Sequence, residues 1–234
     1  MSIKTNIEYI QELKGKAAEK SGRKPEDVLL VAVTKLHGPD EMNEAIDAGI
    51  TDIGENKVQE ILDKFDRVKP VRWHLIGHLQ TNKVKYIIDK VSMIHSVDSM
   101  KLAKEIDKRA AQHNLVMDIL VQVNSAEEES KFGITTEETD QLIADIAEQC
   151  PNIRIKGLMC IAPFEDDPED VRTYFAEVKQ IYDKYVKVKT DRVDFEYLSM
   201  GMTHDFEVAI EEGSNLIRVG TAIFGYRDYR SEEK

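Results

Sequence analysis

Lys35 is the first residue of this chain whose type and position point to chemistry. It follows the apolar run 28–34, whose valine-rich composition predicts a buried parallel strand. A lysine where such a strand opens into its loop would lie on the face on which α/β barrels place their active sites. An amine that is partly withdrawn from water there can attack an aldehyde. The alternative is a solvated lysine that only marks the end of a strand.

Arg218 is the second such residue, because it interrupts an otherwise apolar strand formed with Leu216, Ile217 and Val219. An arginine is seldom buried without a partner. The alternation of a strand puts Arg218 on the opposite face from Ile217 and Val219, in the barrel interior or against the helices. Facing inward, it would be a fixed donor with a permanent charge. The alternative is a surface arginine that is paired with a helix carboxylate.

Two glycine-containing loops follow the last two predicted strands. Ser199 and Gly201 end the seventh strand, and Gly220 and Thr221 end the eighth. In α/β barrels the loops after these two strands recurrently bind phosphate through backbone N–H groups at a helix N-terminus. The glycines would let the backbone approach phosphate oxygens, and the hydroxyls would add donors. The alternative is that both glycines only turn the chain.

A nucleophilic lysine, a phosphate-binding pair of loops and an arginine that faces a ring together suit pyridoxal phosphate (PLP). The aldehyde of PLP forms a Schiff base with lysine, and PLP sites commonly give the pyridine nitrogen an Asp or Arg partner. A competing interpretation is a Schiff-base aldolase on a barrel without PLP, which predicts a colourless protein.

Three further polar residues lie at the ends of the second and third strands. Asn56 could offer its amide to a ligand, or it could cap the next helix. His74 and His78 are four residues apart, which suggests a metal pair only on a helix, and this segment is predicted as a strand and a turn. With no third ligand at a suitable spacing, we expect no metal site. The chain also lacks the glycine-rich nucleotide motifs and the serine elbow of hydrolases.

Eight strand-like segments alternate with helix-like segments along the chain. No linker or shift in composition divides them, which favours a single (β/α)8 barrel domain over residues 1–234. An open doubly wound sheet is the second possibility, because strand order cannot be read from a sequence. The predicted strands are 28–35, 51–55, 71–77, 93–97, 116–124, 153–160, 193–200 and 215–220.

The predicted helices carry start and stop signals of their own. Pro39 opens one helix and Gly49 closes it, while Thr135 with Glu138 resembles a capping box. Only nine residues follow Gly225, so we expect an extra N-terminal helix to take the place of a final one in the outer ring. Apolar residues at helical spacing mark that leading helix: Ile7, Ile10, Leu13 and Ala17.

Composition excludes several classes of function. The 32 Lys and Arg against 44 Asp and Glu give a formal net charge of −12, which argues against nucleic-acid binding. No apolar stretch approaches the length of a membrane span, and the first residues do not resemble a secretory signal. Two cysteines, Cys150 and Cys160, lie far from any metal spacing, and we expect a reduced, cytoplasmic protein.

The chain closely resembles the YggS/PROSC family of pyridoxal phosphate homeostasis proteins over essentially its whole length. The most specific stretch is 73–83, with the sequence WHLIGHLQTNK. Further matches to the family pattern lie at 31–35, 54–56, 131–133, 198–202 and 218–221. Many ordered matches of this kind make a chance resemblance improbable.

The resemblance implies a PLP fold-type III, alanine-racemase-like barrel in which PLP is linked to Lys35. By the same resemblance, Arg218 faces the pyridine nitrogen. The other implied cofactor-binding residues approach the ring or surround the phosphate: Val33, Asn56 and Ile76 near the ring, and Ser199, Gly201, Gly220 and Thr221 around the phosphate.

The resemblance also bears on whether the chain is an enzyme. Alanine racemases add a C-terminal β domain that supplies a tyrosine base, and the nine residues after Gly225 cannot form one. An arginine at the pyridine nitrogen would also disfavour a pyridinium and weaken the ring as an electron sink. We therefore expect a monomeric carrier with no catalytic residues, which passes PLP to apo PLP-dependent enzymes. The alternative is a small PLP-dependent amino-acid racemase or lyase.

Overall fold

Eight parallel strands close into a barrel in the computed structural model, which describes residues 2–126 and 132–225. Each strand pairs with its neighbour in sequence, and the last pairs with the first. The strands are β1 (Leu29–Val33), β2 (Asp52–Glu55), β3 (Arg72–Leu75), β4 (Met93–Val97), β5 (Met117–Val123), β6 (Ile153–Cys160), β7 (Val193–Ser199) and β8 (Leu216–Val219). The predicted barrel is confirmed, with each strand close to its expected bounds, and the open sheet is wrong.

Helices surround the barrel and connect most consecutive strands. They are α1 (Ile3–Lys20), α2 (Pro39–Asp47), α3 (Val58–Lys64), α4 (Met100–Gln112), α5 (Thr136–Gln149), α6 (Arg172–Tyr185), α7 (Phe206–Glu211) and α8 (Thr221–Phe224). The connection between β3 and β4 instead contains a 3₁₀ segment, Thr81–Tyr86. The residues 226–234 and Lys131 of the family-like stretch 131–133 lie outside the described residues.

The predicted helix signals act as expected. The Glu41 carboxylate accepts a hydrogen bond from the Gly38 backbone N–H at 3.0 Å, just before Pro39 begins α2. Gly49 ends that helix in the left-handed region, with a φ of 102°. The Thr135 hydroxyl oxygen accepts from the Glu138 backbone N–H at 3.4 Å and caps α5.

The leading helix α1 fills a position in the outer ring. It packs against α2, α7 and α8, and it buries Ile7, Ile10 and Ala17. Its Lys14 ammonium donates to the Val28 carbonyl at 2.8 Å, at the start of the barrel. Because α8 has only four residues, α1 covers the strands where a longer final helix would otherwise pack.

The inside of the barrel differs from the layer between strands and helices. Most of the hydrophobic core lies in that outer layer, whereas Met93, Leu120 and Met159 form a separate, small apolar cluster inside the barrel. The rest of the interior contains a line of buried polar side chains that crosses from β2 to β8: Asp52, His74, His95, Ser199 and Arg218. Barrels of this class usually fill their interior with branched apolar residues.

Within 2–126 and 132–225, none of the helices has the length and apolar character needed to cross a bilayer.

Candidate functional site

Lys35 lies just beyond the end of β1, and its side chain is exposed. The register between β1 and β8 pairs Ala32 with Val219, which brings the next residue, Val33, beside Gly220. A Cβ on Gly220 would lie 3.0 Å from the Val33 carbonyl oxygen. The Lys35 loop and the predicted phosphate loop after β8 are therefore neighbours at one end of the barrel.

Arg218 points into the barrel. Its side chain is 3% exposed, and its guanidinium donates to the Ser199 carbonyl at 2.9 Å and the Ser199 hydroxyl at 2.7 Å. A third hydrogen bond goes to the Cys160 carbonyl at 2.9 Å. The interpretation as a surface arginine paired with a helix carboxylate is wrong.

The charge of Arg218 has no ion-pair partner within 2–126 and 132–225. Burial lowers the pKa of this guanidinium, while Cys160 and the Asp205 carboxylate act in the opposite direction. Removing an arginine charge from water without a carboxylate is unfavourable. The interior of the barrel is thus positive at the end where Lys35 lies.

The loop after β7 is shaped by close packing behind it. Gly201 has a φ of 93°, and a Cβ there would lie 2.8 Å from Phe206 Cα. The Asp205 carboxylate accepts from the Met202 backbone N–H at 2.6 Å, and the Gly201 carbonyl accepts from the Arg218 backbone N–H at 3.0 Å. Gly201 is therefore required for packing against α7, a reason that the sequence could not show.

The ends of β2 and β3 bring Asn56 and Ile76 to the same face. The Ile76 side chain packs over Gly54, where a Cβ would lie 3.0 Å from Ile76 Cδ1 and 3.1 Å from Val31 Cγ1. A Cβ on Gly77 would lie 2.7 Å from Asn56 Cα. These glycines let the two loops approach each other closely.

Outside the barrel, a buried group of charges holds the backbone around Lys35. We call Glu55, Glu60 and Lys64 the outer cluster. The Lys64 ammonium donates to Glu55 at 2.9 Å, to Glu60 at 2.7 Å and to the Thr34 carbonyl at 3.1 Å. The Thr34 hydroxyl donates to the Glu55 carboxylate at 2.7 Å.

The outer cluster also binds the residue after Lys35. The Leu36 backbone N–H donates to the Glu60 carboxylate at 2.6 Å. Leu36 has a φ of 66°, a conformation that a residue with a side chain adopts only where its surroundings impose it. Both neighbours of Lys35 are anchored, so the loop fixes the backbone of Lys35 and leaves its exposed side chain to choose a rotamer.

A line of hydrogen-bonded polar side chains crosses the inside of the barrel. We call its members, Asp52, His74, His95, Ser199 and Arg218, the interior chain. Ser199 Oγ lies 3.2 Å from His95 Nδ1, and His95 Nε2 lies 2.9 Å from His74 Nδ1. His74 Nε2 lies 2.8 Å from Asp52 Oδ1. Because β4 and β7 are not adjacent strands, the contact between His95 and Ser199 spans the interior.

Two residues of the interior chain, Asp52 and His95, have pKa values that their surroundings shift. Burial opposes ionisation of Asp52, but hydrogen bonds from His74, Arg72 and Thr51 lower its pKa to about 2. Burial, helped by the nearby His74 and Arg218, lowers the pKa of His95 well below its ordinary value. Asp52 is therefore a carboxylate near pH 7, and His95 is an uncharged imidazole.

His74 and His78, which we did not expect to bind a metal, lie in different surroundings. His74 is buried in the interior chain, whereas the His78 ring stacks on Phe132 with centroids 3.8 Å apart. Sequence reasoning missed His95 altogether. The available signal was the one that identified Arg218, a polar residue inside an apolar strand, here Met93–Val97.

The site presents a set of groups suited to one kind of ligand. An exposed primary amine, a buried guanidinium and the hydroxyls of Ser199 and Thr221 lie at the ends of β1, β7 and β8. These groups fit a small anion that carries an aldehyde for the amine and an acceptor atom for the guanidinium.

Comparison with known proteins gives first the class of the fold. Residues 5–228 match the family model of the alanine racemase N-terminal domain. An alanine racemase from Clostridium difficile 630 superposes with a TM-score of 0.75 over 97% of this chain and 57% of its own, at 14% identity. At that identity the likeness shows the barrel fold alone.

More similar proteins give the family. The pyridoxal phosphate homeostasis protein of Aquifex aeolicus is 44% identical over 216 residues, which cover 92% of this chain and 93% of that protein. PipY of Synechococcus elongatus PCC7942, solved with PLP bound, is 31% identical with a TM-score of 0.75, over 89% of this chain and 100% of its own. The chain belongs to the pyridoxal phosphate homeostasis protein family.

Proposed function

We propose that this chain binds PLP covalently through Lys35 and acts in PLP homeostasis as a cofactor carrier or buffer. One observation carries the proposal: an exposed amine with both neighbours anchored lies at the same barrel end as a buried guanidinium without an ion-pair partner among the described residues. The homeostasis proteins among the relatives and the PLP-bound PipY support it.

The proposal gives each predicted site residue a role. PLP supplies an electrophilic aldehyde, a pyridine nitrogen and a phosphate. Lys35 holds the aldehyde carbon, and Arg218 donates to the pyridine nitrogen. The remaining residues contact the ring or the phosphate: Val33, Asn56 and Ile76 the ring, and Ser199, Gly201, Gly220 and Thr221 the phosphate.

The chemistry of Arg218 favours carriage over catalysis. A guanidinium has only donors and stays protonated, so a pyridine nitrogen facing it must act as the acceptor. The ring then stays uncharged at that nitrogen and withdraws electrons less strongly. The alternative function, a small amino-acid racemase or lyase, would need a base on the open side of the site.

Cofactor attachment is tested by absorbance. Purified protein mixed with PLP is expected to show the visible band of lysine-bound PLP, and Lys35→Ala is expected to lack it. Lys83→Ala is a control at another lysine near the same end of the barrel, beyond β3. An unchanged band in Lys35→Ala would overturn the proposal, and a colourless wild type would favour the aldolase interpretation.

Delivery and turnover need separate assays. Loaded protein is expected to activate an apo PLP enzyme at a rate that differs from an equal concentration of free PLP. Equal rates would reduce the role to buffering. Racemisation or transamination of L- or D-amino acids at about 1 per second or faster would contradict the carrier role and favour the alternative function as an enzyme.

Three expectations accompany this proposal. We propose that residues 1–234 form one domain, that the protein acts as a monomer in the cytoplasm, and that apo PLP-dependent enzymes are its acceptors. Analytical ultracentrifugation of the loaded protein tests the monomer, with a dimer as the contrary result.

A further inference from the structure

The interior chain connects the two ends of the barrel. Asp52 lies at the first residue of β2, where Arg72 of β3 binds it through Nε at 2.8 Å and NH2 at 2.6 Å. Ser199 and Arg218 lie towards the opposite, C-terminal ends of β7 and β8. His74 and His95 connect Asp52 to Ser199, so a continuous line of hydrogen bonds crosses a region that such barrels usually fill with apolar residues.

The direction of the hydrogen bonds is determined at the Asp52 end. An ionised carboxylate can only accept hydrogen bonds, so the proton between Asp52 and His74 lies on His74 Nε2. If the same direction continues along the chain, His74 Nδ1 accepts from His95 Nε2. His95 Nδ1 is then an acceptor that faces Ser199.

The Ser199 end requires the same direction. The Ser199 oxygen already accepts from Arg218 NH1, because a guanidinium has no acceptor atom. If His95 also donated to it, the serine proton would have no acceptor within 2–126 and 132–225. With Ser199 donating to His95 Nδ1, the Ser199 hydroxyl and the N–H groups of both imidazoles each have an acceptor.

We propose that Asp52, His74 and His95 are positioning residues for the PLP site, acting through Ser199 and Arg218. The ordered hydrogen bonds aim the Ser199 hydroxyl oxygen at Arg218. The guanidinium of Arg218 also donates to the backbone carbonyls of Ser199 and Cys160, which hold it in place. This inference rests on the proposed function, because it treats Arg218 and Ser199 as groups that contact the cofactor.

Strand pairing alone does not account for the interior chain. A second arginine–aspartate pair, Arg154 with Asp118, joins β5 and β6 through bonds of 2.7 and 3.0 Å, and among the described residues neither is bonded to a histidine. Apolar residues such as Met93, Leu120 and Met159 fill the neighbouring part of the interior. Buried polar chains rarely add stability over apolar packing, which points to a role in the site.

The hydrogen-bond direction is tested on the unloaded wild-type protein. Long-range ¹H–¹⁵N NMR at neutral pH is expected to show His95 protonated at Nε2 and unprotonated at Nδ1. In Asp52→Asn, which keeps the volume and removes the charge, we expect His95 to populate both tautomers. A wild-type His95 protonated at Nδ1, or on both nitrogens, would overturn the proposed arrangement.

The positioning role is tested by the release of PLP from loaded protein, followed by trapping the free cofactor. Asp52→Asn is expected to release PLP about tenfold faster than wild type, the scale of one lost hydrogen bond to a charged group. The matched control is Asp118→Asn, which weakens an equivalent pair outside the interior chain and is expected to leave the rate unchanged. Equal rates in the two variants would overturn the positioning role.

Two substitutions of His95 separate orientation from packing. The amide of His95→Asn reaches the Nδ1 position and keeps an acceptor for Ser199, whereas His95→Gln reaches the Nε2 position and contacts only His74. We expect Asn to preserve slow release better than Gln, and the reverse order would contradict the proposal. If wild type takes up no PLP, the proposed function fails, and the cofactor role of the interior chain fails with it.

Discussion

The outer cluster and the interior chain support the candidate site from opposite faces of the barrel wall, and they differ in how they do so. In the outer cluster, the buried Glu55 and Lys64 and the half-buried Glu60 meet directly, and they hold backbone groups on both sides of Lys35. In the interior chain, Asp52 and Arg218 lie at the two ends, and the imidazoles between them transmit an orientation to side chains.

This difference separates two needs of a lysine-linked cofactor site. The attachment point must be held in place, and a lysine–glutamate group can do this because its hydrogen bonds end on the backbone. The ring-facing donor must be oriented without an opposing carboxylate, which would neutralise it. Damage to the outer cluster should therefore lower stability, and damage to the interior chain should mainly affect retention of PLP.

Removing the cation of the outer cluster should have the largest effect on stability. Lys64→Met leaves Glu55 and Glu60 buried without a counter-charge, and we expect a loss of about 3–5 kcal/mol in the free energy of unfolding. Lys16→Met is the control, since Lys16 and Glu12 form an exposed pair at the same i,i+4 spacing. Urea unfolding curves that show similar small losses in both variants would contradict the assignment.

The two regions should also respond to acid with opposite signs. The folded pKa of Asp52 is lowered to about 2, so its contribution is complete above the unfolded pKa and is lost as the pH falls towards 2. We expect wild type to lose about 2 kcal/mol more than Asp52→Asn over this range.

Burial raises the pKa of Glu55 above its ordinary value, against the effects of Lys64 and Thr34. Its contribution is therefore complete below the unfolded pKa and is lost as the pH rises through the folded pKa. Glu55→Gln is expected to remove a pH dependence of the opposite sign from that of Asp52→Asn. Thermal unfolding between pH 2 and 7 measures both pH dependences, and slopes of the same sign would contradict the comparison.

A volume-conserving substitution in the apolar cluster of Met93, Leu120 and Met159 should leave the binding of PLP unchanged. Met159→Leu conserves volume, so we expect a loss below about 1.5 kcal/mol in the free energy of unfolding. Release of PLP should match wild type. Faster release of PLP in this variant would show that any change inside the barrel disturbs the cofactor. The interior chain would then have no special role compared with the apolar cluster.

Lys35 should have the smallest effect on stability. Its side chain is exposed, so Lys35→Ala is expected to change the free energy of unfolding by less than about 0.5 kcal/mol. Covalent PLP should nevertheless be lost completely. A large destabilisation of the unloaded variant would mean that Lys35 has a structural role that its exposure does not explain.

Local patterns predicted most of the fold. The eight strands are apolar runs bounded by turn residues, and the helices carry caps and apolar stripes, so each could be recognised from its own segment. Lys35 and Arg218 stood out because a charged residue interrupts or ends such a run.

The supporting residues could not be recognised in the same way. Lys64 and Glu60 have the spacing of an ordinary solvated helix pair, and only the packing of α3 against β2 makes them a buried group with Glu55. The spacing of His74 and His78 gave no sign that His74 contacts His95, which is 21 residues away in sequence. Such partners depend on which strands are adjacent and which face each side chain takes.

The central claim is that Lys35 holds PLP, and its most direct test is chemical trapping. The protein is loaded with PLP, reduced with borohydride, digested and examined by mass spectrometry. We predict one pyridoxyl phosphate group, attached to the peptide that contains Lys35, and none on the same peptide from Lys35→Ala. Attachment mainly to other lysines, or no attachment under conditions in which the protein is folded, would contradict the account.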